Sequence, residues 1–344
     1  METLNRNLQI EMSPDDMSTA FLTPIFFDTG FQEFFNVDTN ARHKKRIPFL
    51  DFNQNVLRPV NGCSLEEVQA VKMSNRTFDV DSTGFRMGLC ASEFENTVLQ
   101  ASMKSGVAIK DLQGTQIMEA VLEAAKIGIR KDLNNCAYFG KKDMLPVPGA
   151  EYLQNANGLW SYYFPKLNDE GKLKFTAANT ALTTANAATD LIRTVVNKAA
   201  NVLKALPASQ KVILVDNVTY EAYYKDKEDT EGTGGFTTTL DSGREALTFR
   251  SIPVVPMYEF IDVLTALGID TAALPPNFVL YMATGNLWFG TDSSDAENEL
   301  SSYYEKKDRK NYVDVEFKIG FNYYHEEFFS VAANETILTT LQNL

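Results

Sequence analysis

The clearest pattern in the chain lies toward its C-terminal end, where Val313, Val315, Phe317, Ile319, Phe321 and Tyr323 alternate with Asp314, Glu316, Lys318, Gly320 and Asn322. A period of two puts one face of a strand on a core and the other toward water, so these residues predict one long strand. Glu326 to Val331 is expected to pair back on it as a hairpin. Two stretches carry the helical period instead. Between Thr115 and Ala137, Ile117, Val121, Ala124 and Gly128 share a stripe flanked by Met118, Leu122, Ala125 and Ile129, which predicts a long helix stopping near Phe139-Gly140. From Ala181 to Leu206 the same rhythm runs through Ile192, Val195, Val196, Ala199, Val202 and Leu203 until Pro207 ends it. Lys211 to Asp216 then reads as a short buried strand, a helix is expected from about Asn217, and strand pieces recur at Leu247 to Met257 and Phe278 to Ala283. This order predicts the α+β (mixed α/β) class rather than a repeat array.

The first 92 residues behave differently. Pro14, Pro24, Gly30, Pro48 and Pro59 leave no room for a long helix, so residues 1–60 read as an extended arm. Six phenylalanines fall between residues 21 and 35: Phe21, Phe26, Phe27, Phe31, Phe34 and Phe35. That much apolar surface has to lie on the chain's own body or on a neighbour. Val71 to Val80 and Phe85 to Cys90 flank the turn-forming Asp81-Ser82-Thr83-Gly84, which predicts a long hairpin within residues 61–92. An isolated hairpin is marginal in water, so it too needs a surface to rest on.

Charge narrows the function classes. With 45 acidic and 32 basic side chains among 344 residues the net charge is −13, which argues against a surface that grips phosphates over a broad area. The excess is uneven: residues 151–305 hold 20 acidic and 11 basic side chains, a net of −9, whereas Arg42-His43-Lys44-Lys45-Arg46 is a basic run on the arm. The N-terminal residues lack an apolar signal core, and no run of apolar residues is long enough to span a bilayer. Synthesis in the cytoplasm and no membrane partner are expected. Cys63, Cys90 and Cys136 are odd in number and widely spaced, and read as reduced thiols.

Catalytic chemistry finds little support. His43 and His325 have no partner at metal-ligand or triad spacing. Asp79-Val80-Asp81-Ser82-Thr83-Gly84 starts like a calcium loop, but Cys90 stands where the bidentate Glu belongs, so a turn is the better reading. Gly232-Thr233-Gly234-Gly235 lacks the Lys-Ser or Lys-Thr of a phosphate-binding loop and reads as a surface loop. No catalytic residue, cofactor or metal site is predicted.

The succession of parts resembles the major capsid protein of tailed bacteriophages, the Hong Kong 97 fold. The resemblance rests on the helix ending Asp132-Leu133-Asn134-Asn135-Cys136-Ala137-Tyr138-Phe139-Gly140 followed by Asn157-Gly158-Leu159, on Lys211 to Tyr220, on Arg250 to Pro256, and on Phe278 to Gly290. It implies an N-terminal arm at 1–60, an E-loop hairpin at 61–92, a peripheral domain with the spine helix at 93–150, an axial domain at 151–305 and returning peripheral strands at 306–344. It further implies a structural shell protein, not an enzyme, that self-assembles into hexamers and pentamers of an icosahedral virion enclosing double-stranded DNA. Portal, scaffolding and decoration proteins would be its other partners, and residues 1–60 are too few for an arm plus a fused scaffold. The six arm phenylalanines are then expected at inter-subunit contacts, with Arg42, Lys44, Lys45 and Arg46 facing the DNA. An encapsulin-like compartment shares the fold; a cytosolic carboxylate-dependent hydrolase is the reading from another class. Megadalton particles would separate shells from enzymes.

Overall fold

A computed structural model describes residues 34–41, 43–52, 71–93, 111–113, 115–231, 237–239, 245–292 and 300–344. In chain order come β1 (Phe35–Asp38), β2 (Lys45–Phe52), β3 (Val71–Phe78), β4 (Asp81–Leu89) and the long helix α1 (Gln116–Phe139). A π-helical turn at Leu159–Tyr163 leads to α2 (Phe164–Asp169), β5 (Lys174–Ala177), α3 (Ala187–Lys198) and α4 (Asn201–Ala205). Then follow β6 (Lys211–Asp216), α5 (Asn217–Glu231), β7 (Thr237–Thr239), β8 (Glu245–Phe249), β9 (Ile252–Met257) and α6 (Glu259–Ala266). The last elements are β10 (Val279–Ala283), β11 (Leu287–Thr291), β12 (Leu300–Glu305), β13 (Lys310–Tyr323), β14 (Phe329–Ala333) and α7 (Glu335–Asn343).

A seven-stranded sheet has the order β5-β14-β10-β6-β9-β8-β7. All six residues of β6 are buried. Val212 and Leu214 enter one apolar core while Ile213 and Val215 enter another on the opposite face. A strand covered on both sides has no polar alternation to show, hence the continuous apolar run. Ile192, Val195 and Val196 of α3 and Tyr223 of α5 cover one face. On the other, Leu133 and Phe139 of α1, Trp160 of the π-helical turn and Phe260 of α6 fill the layer shared with the second sheet. That five-stranded sheet is built on β13, with β4 paired along it and β12, β11 and β1 completing it. The long strand and the long helix stand as expected; Thr115 caps α1 through its side chain.

Four expectations change. β3 does not pair with residues 85–90: it pairs with β2, Lys45 opposite Phe78 through Phe52 opposite Val71, while β4 pairs with β13. Gly84 lies inside β4 rather than in a turn, where a Cβ would come within 2.3 Å of the Val315 carbonyl oxygen. Residues 326–331 do not fold back on β13. All five residues of β14 are buried, which requires two covered faces, and β14 sits between β10 and β5 in the other sheet. The helix expected from Ala181 begins at Ala187, where the Asp226 carboxylate accepts from the Asn186 and Thr189 amides at 2.8 and 3.0 Å. It also breaks at Ala199 and Ala200, whose ψ angles of 152 and 149 are extended; Lys204 Nζ donates at 2.6 Å to the Asn197 carbonyl in the turn before the break. Finally, β11 belongs to the five-stranded sheet and β14 to the seven-stranded one, so sheet membership does not follow a boundary at 305/306.

Candidate assembly elements

The two-stranded ribbon β2-β3 bonds along its length only to itself and is fixed at its root. Phe78, Ala41 and Trp288 form a small buried core there, with the Phe78 and Trp288 rings edge to face at 4.7 Å. Trp288 folds its ring over its own strand: a Cβ on Gly290 would lie 2.1 Å from the indole, so a side chain at that position has no room. Arg76 adds a polar clamp. Its guanidinium donates to the carbonyls of Tyr323 and Tyr324 at 3.0 and 2.9 Å and pairs with the Glu326 carboxylate. Phe49 meets the exposed His325 edge to face at 5.0 Å.

Asp38 ties arm to root. Its carboxylate accepts from Lys45 Nζ and from the Trp288 indole, the latter at 3.4 Å. Burial opposes its ionisation, yet the Lys45 bond and charge, the Asn40 amide and Trp288 together hold its pKa below the ordinary value.

At the C-terminal end of α1 two glycines cross. The Gly158 amide donates to the Gly140 carbonyl at 2.7 Å, and Lys142 donates its amide to Asn157 Oδ1 at 3.1 Å. A Cβ on Gly158 would come within 2.6 Å of the Cys136 carbonyl oxygen and of the Gly140 nitrogen, so backbone meets backbone. Phe139-Gly140 and Asn157-Gly158-Leu159, two of the residue groups that carried the resemblance, are thus one junction. Cys136 is buried beside it, and burial pushes its thiol up to about 12. A second junction is Asp216, wholly buried, whose carboxylate accepts from the Thr219 amide at 2.9 Å, the Thr219 hydroxyl at 2.7 Å and the Phe278 amide at 2.7 Å.

Phe21, Phe26, Phe27, Phe31, Arg42, Cys63 and the Gly232 to Gly235 loop lie outside the described residues. Phe34 and Phe35 do not fit an inter-subunit role, because both are buried in this chain's own core, at 7% and 4% exposure. The reason is pairing: β1 lies parallel to β11, and Phe35 packs edge to face on Phe321 at 6.0 Å. Lys45 is engaged with Asp38, and Lys44 lies 3.8 Å from Asp79. Arg46 is exposed. Sequence reasoning missed Arg76 and Trp288. A usable signal was present in Trp288-Phe289-Gly290, where a glycine two positions after a tryptophan shares its strand face. Among the described residues no group of His, Cys, Asp and Glu converges to hold a metal ion, and no helix is long and apolar enough to cross a membrane.

Two sheets around a long helix, with a ribbon rooted on one of them, define a Hong Kong 97-like capsid fold. Comparison with solved structures supports the assignment. A structure of Mycobacterium phage Ogopogo matches with a TM-score of 0.54 at 10% identity, covering 88% of this chain and 90% of that one. The capsid of Myoviridae phage XM1 matches with a TM-score of 0.53 at 12% identity, covering 90% and 92%. The satellite phage P4 procapsid that includes the size determination (Sid) protein matches with a TM-score of 0.51 at 12% identity, covering 93% and 96%. No protein-family model and no curated protein matches the sequence.

Proposed function

We propose that the chain is a major capsid protein, with a structural rather than a catalytic role, whose copies form hexamers and pentamers of an icosahedral phage head around double-stranded DNA. The supporting observation is the extent of the likeness, which takes in 88–93% of this chain and 90–96% of the three capsid-type chains rather than a shared submotif. The ribbon β2-β3 agrees with it, since a two-stranded ribbon gains stability from a neighbouring surface. In this reading Phe21, Phe26, Phe27 and Phe31 seat the arm on adjacent copies, and Arg42, Lys44, Lys45 and Arg46 face the interior. Portal, scaffolding and decoration proteins complete a virion assembled in the host cytoplasm.

Electron microscopy of the purified chain tests it. Capsomers or closed shells of the 38.5 kDa subunit are expected; a chain that stays monomeric or dimeric at high concentration overturns the reading. Shells from infected cells filled with protein instead of DNA would point to a compartment. Replacing Arg42, Lys44, Lys45 and Arg46 with Glu should lower the yield of DNA-filled particles, and an unchanged yield removes that part.

A further inference from the structure

The turn joining β12 to β13 is a concentrated positive charge in an acidic chain. Lys306, Lys307, Asp308, Arg309 and Lys310 are all exposed, closing a hairpin in which Glu305 stands opposite Lys310. Both nearby carboxylates are occupied by uncharged groups: Glu305 accepts the Lys307 amide at 3.0 Å, and Asp308 accepts the Tyr312 hydroxyl at 3.1 Å. None of the four cations makes an ion pair among the described residues. The end of the sheet behind them is fixed, because Leu112 donates its amide to buried Asn311 at 3.0 Å, and Arg86 lies 4.6 Å over the Tyr312 ring while bonding Asp314 at 3.1 Å. The cations therefore stand on a firm base with nothing to neutralise them. The arm's basic run differs, since Lys44 and Lys45 already face Asp79 and Asp38.

We propose that Lys306, Lys307, Arg309 and Lys310 contact the phosphate backbone of double-stranded DNA. The inference rests on the capsid reading above, which puts DNA beside the subunit. A chain of net charge −13 repels a polyanion on average, so attraction has to be local, and this turn is where unpaired positive charge gathers. The four long side chains surround no pocket that would read a base edge, which suits sequence-independent contact with phosphates. An acidic patch on a second copy is the rival partner, but among the described residues no three acidic groups converge closely enough to hold a metal ion. DNA instead offers a charge roughly every 1.7 Å along its axis.

The test is binding of the full chain to a random duplex of about 30 base pairs between about 50 and 200 mM salt, compared with K306Q/K307Q/R309N/K310Q. Asn is chosen because Arg309 has φ 55, a region Asn tolerates. For four phosphates the wild type should show a slope of log affinity on log salt near −3.6, that is about −0.9 for each contact, and the variant a slope near zero with at least tenfold weaker binding at low salt. Equal slopes, or no binding by the wild type, overturn the proposal. A variant that binds DNA normally but fails to assemble overturns it in favour of a contact between copies. Shell formation by both chains, read on the same samples, keeps a failure here separate from a failure of the capsid reading.

Discussion

The Arg76 guanidinium lies 4.2 Å from the centre of the Tyr323 ring while donating at 3.0 Å to the carbonyl of the same residue. One side chain from the ribbon thus holds both the face and the backbone of the last residue of β13. Removing it leaves two carbonyls and the Glu326 carboxylate short of a donor. Arg76→Ala should cost about 1–3 kcal/mol in urea unfolding, because unmet buried acceptors cost more than a bond contributes. Arg76→Lys should recover less than half, since a point charge cannot serve two carbonyls and a carboxylate as a planar fork does. Hydrogen exchange over residues 71–78 reads the root directly, and unchanged protection in Arg76→Ala would leave Phe78 and Trp288 as sufficient anchors.

Gly158→Ala places a methyl against three backbone atoms within 2.8 Å, none of which is the far end of a flexible side chain. The junction of α1 with the following loop then has to open, breaking the bond from Gly158 to Gly140. A loss of at least about 3 kcal/mol, or failure to fold, is expected. Gly149→Ala is the comparison, since nothing lies within 4 Å of a Cβ there. Its φ of +85 disfavours a side chain, so its cost should be real but smaller, about 1 kcal/mol.

Asp38 gives a pH signature. A carboxyl whose pKa is lower in the folded than in the unfolded chain stabilises above its unfolded value, and that contribution disappears as pH falls through the folded one. Relative to Asp38→Asn, the wild type should be the more stable at neutral pH, and the difference should shrink below about pH 4. A difference that is constant or grows on acidification would show that the Lys45 and Trp288 contacts do not favour the charged form.

Thiol reactivity separates two cysteines. Cys136 is buried with its thiol pushed up to about 12, whereas Cys90 is half-buried. In a Cys63→Ser background a maleimide at neutral pH should label Cys90 in the native chain, and Cys136 only on unfolding. Native labelling of Cys136, located by peptide mass, would mean that the α1 junction opens without global unfolding.

Legibility in the sequence followed how local each cause was. The alternation that became β13 and the stripe that became α1 are written within their own residues, and so is the buried run of β6. The break at Ala199-Ala200 is not, because alanine is the best helix former and nothing nearby forbids continuation. The start of α3 is set by Asp226, a carboxylate on another helix. Residues 71–78 and 81–89 both read as strands, but which strand each pairs with depends on Trp288 and Val315, far along the chain. The β8–β9 turn was equally opaque, with Arg250 and Ser251 at φ 51 and 65 in place of the usual glycine. Of the candidate contact residues, Phe34 and Phe35 were apolar as expected, but composition does not say whose core a phenylalanine fills.

The position of β14 between β5 and β10 has a consequence during synthesis. Phe329–Ala333 leaves the ribosome long after Lys174–Ala177, to which it bonds in parallel, and after Val279–Ala283, to which it bonds antiparallel. Until then β5 has no partner strand and β10 exposes one edge. Such late, non-local closure makes folding slow and leaves edges open to aggregation. It also acts as a timer, since the seven-stranded sheet is complete only in chains that have been read through residue 333.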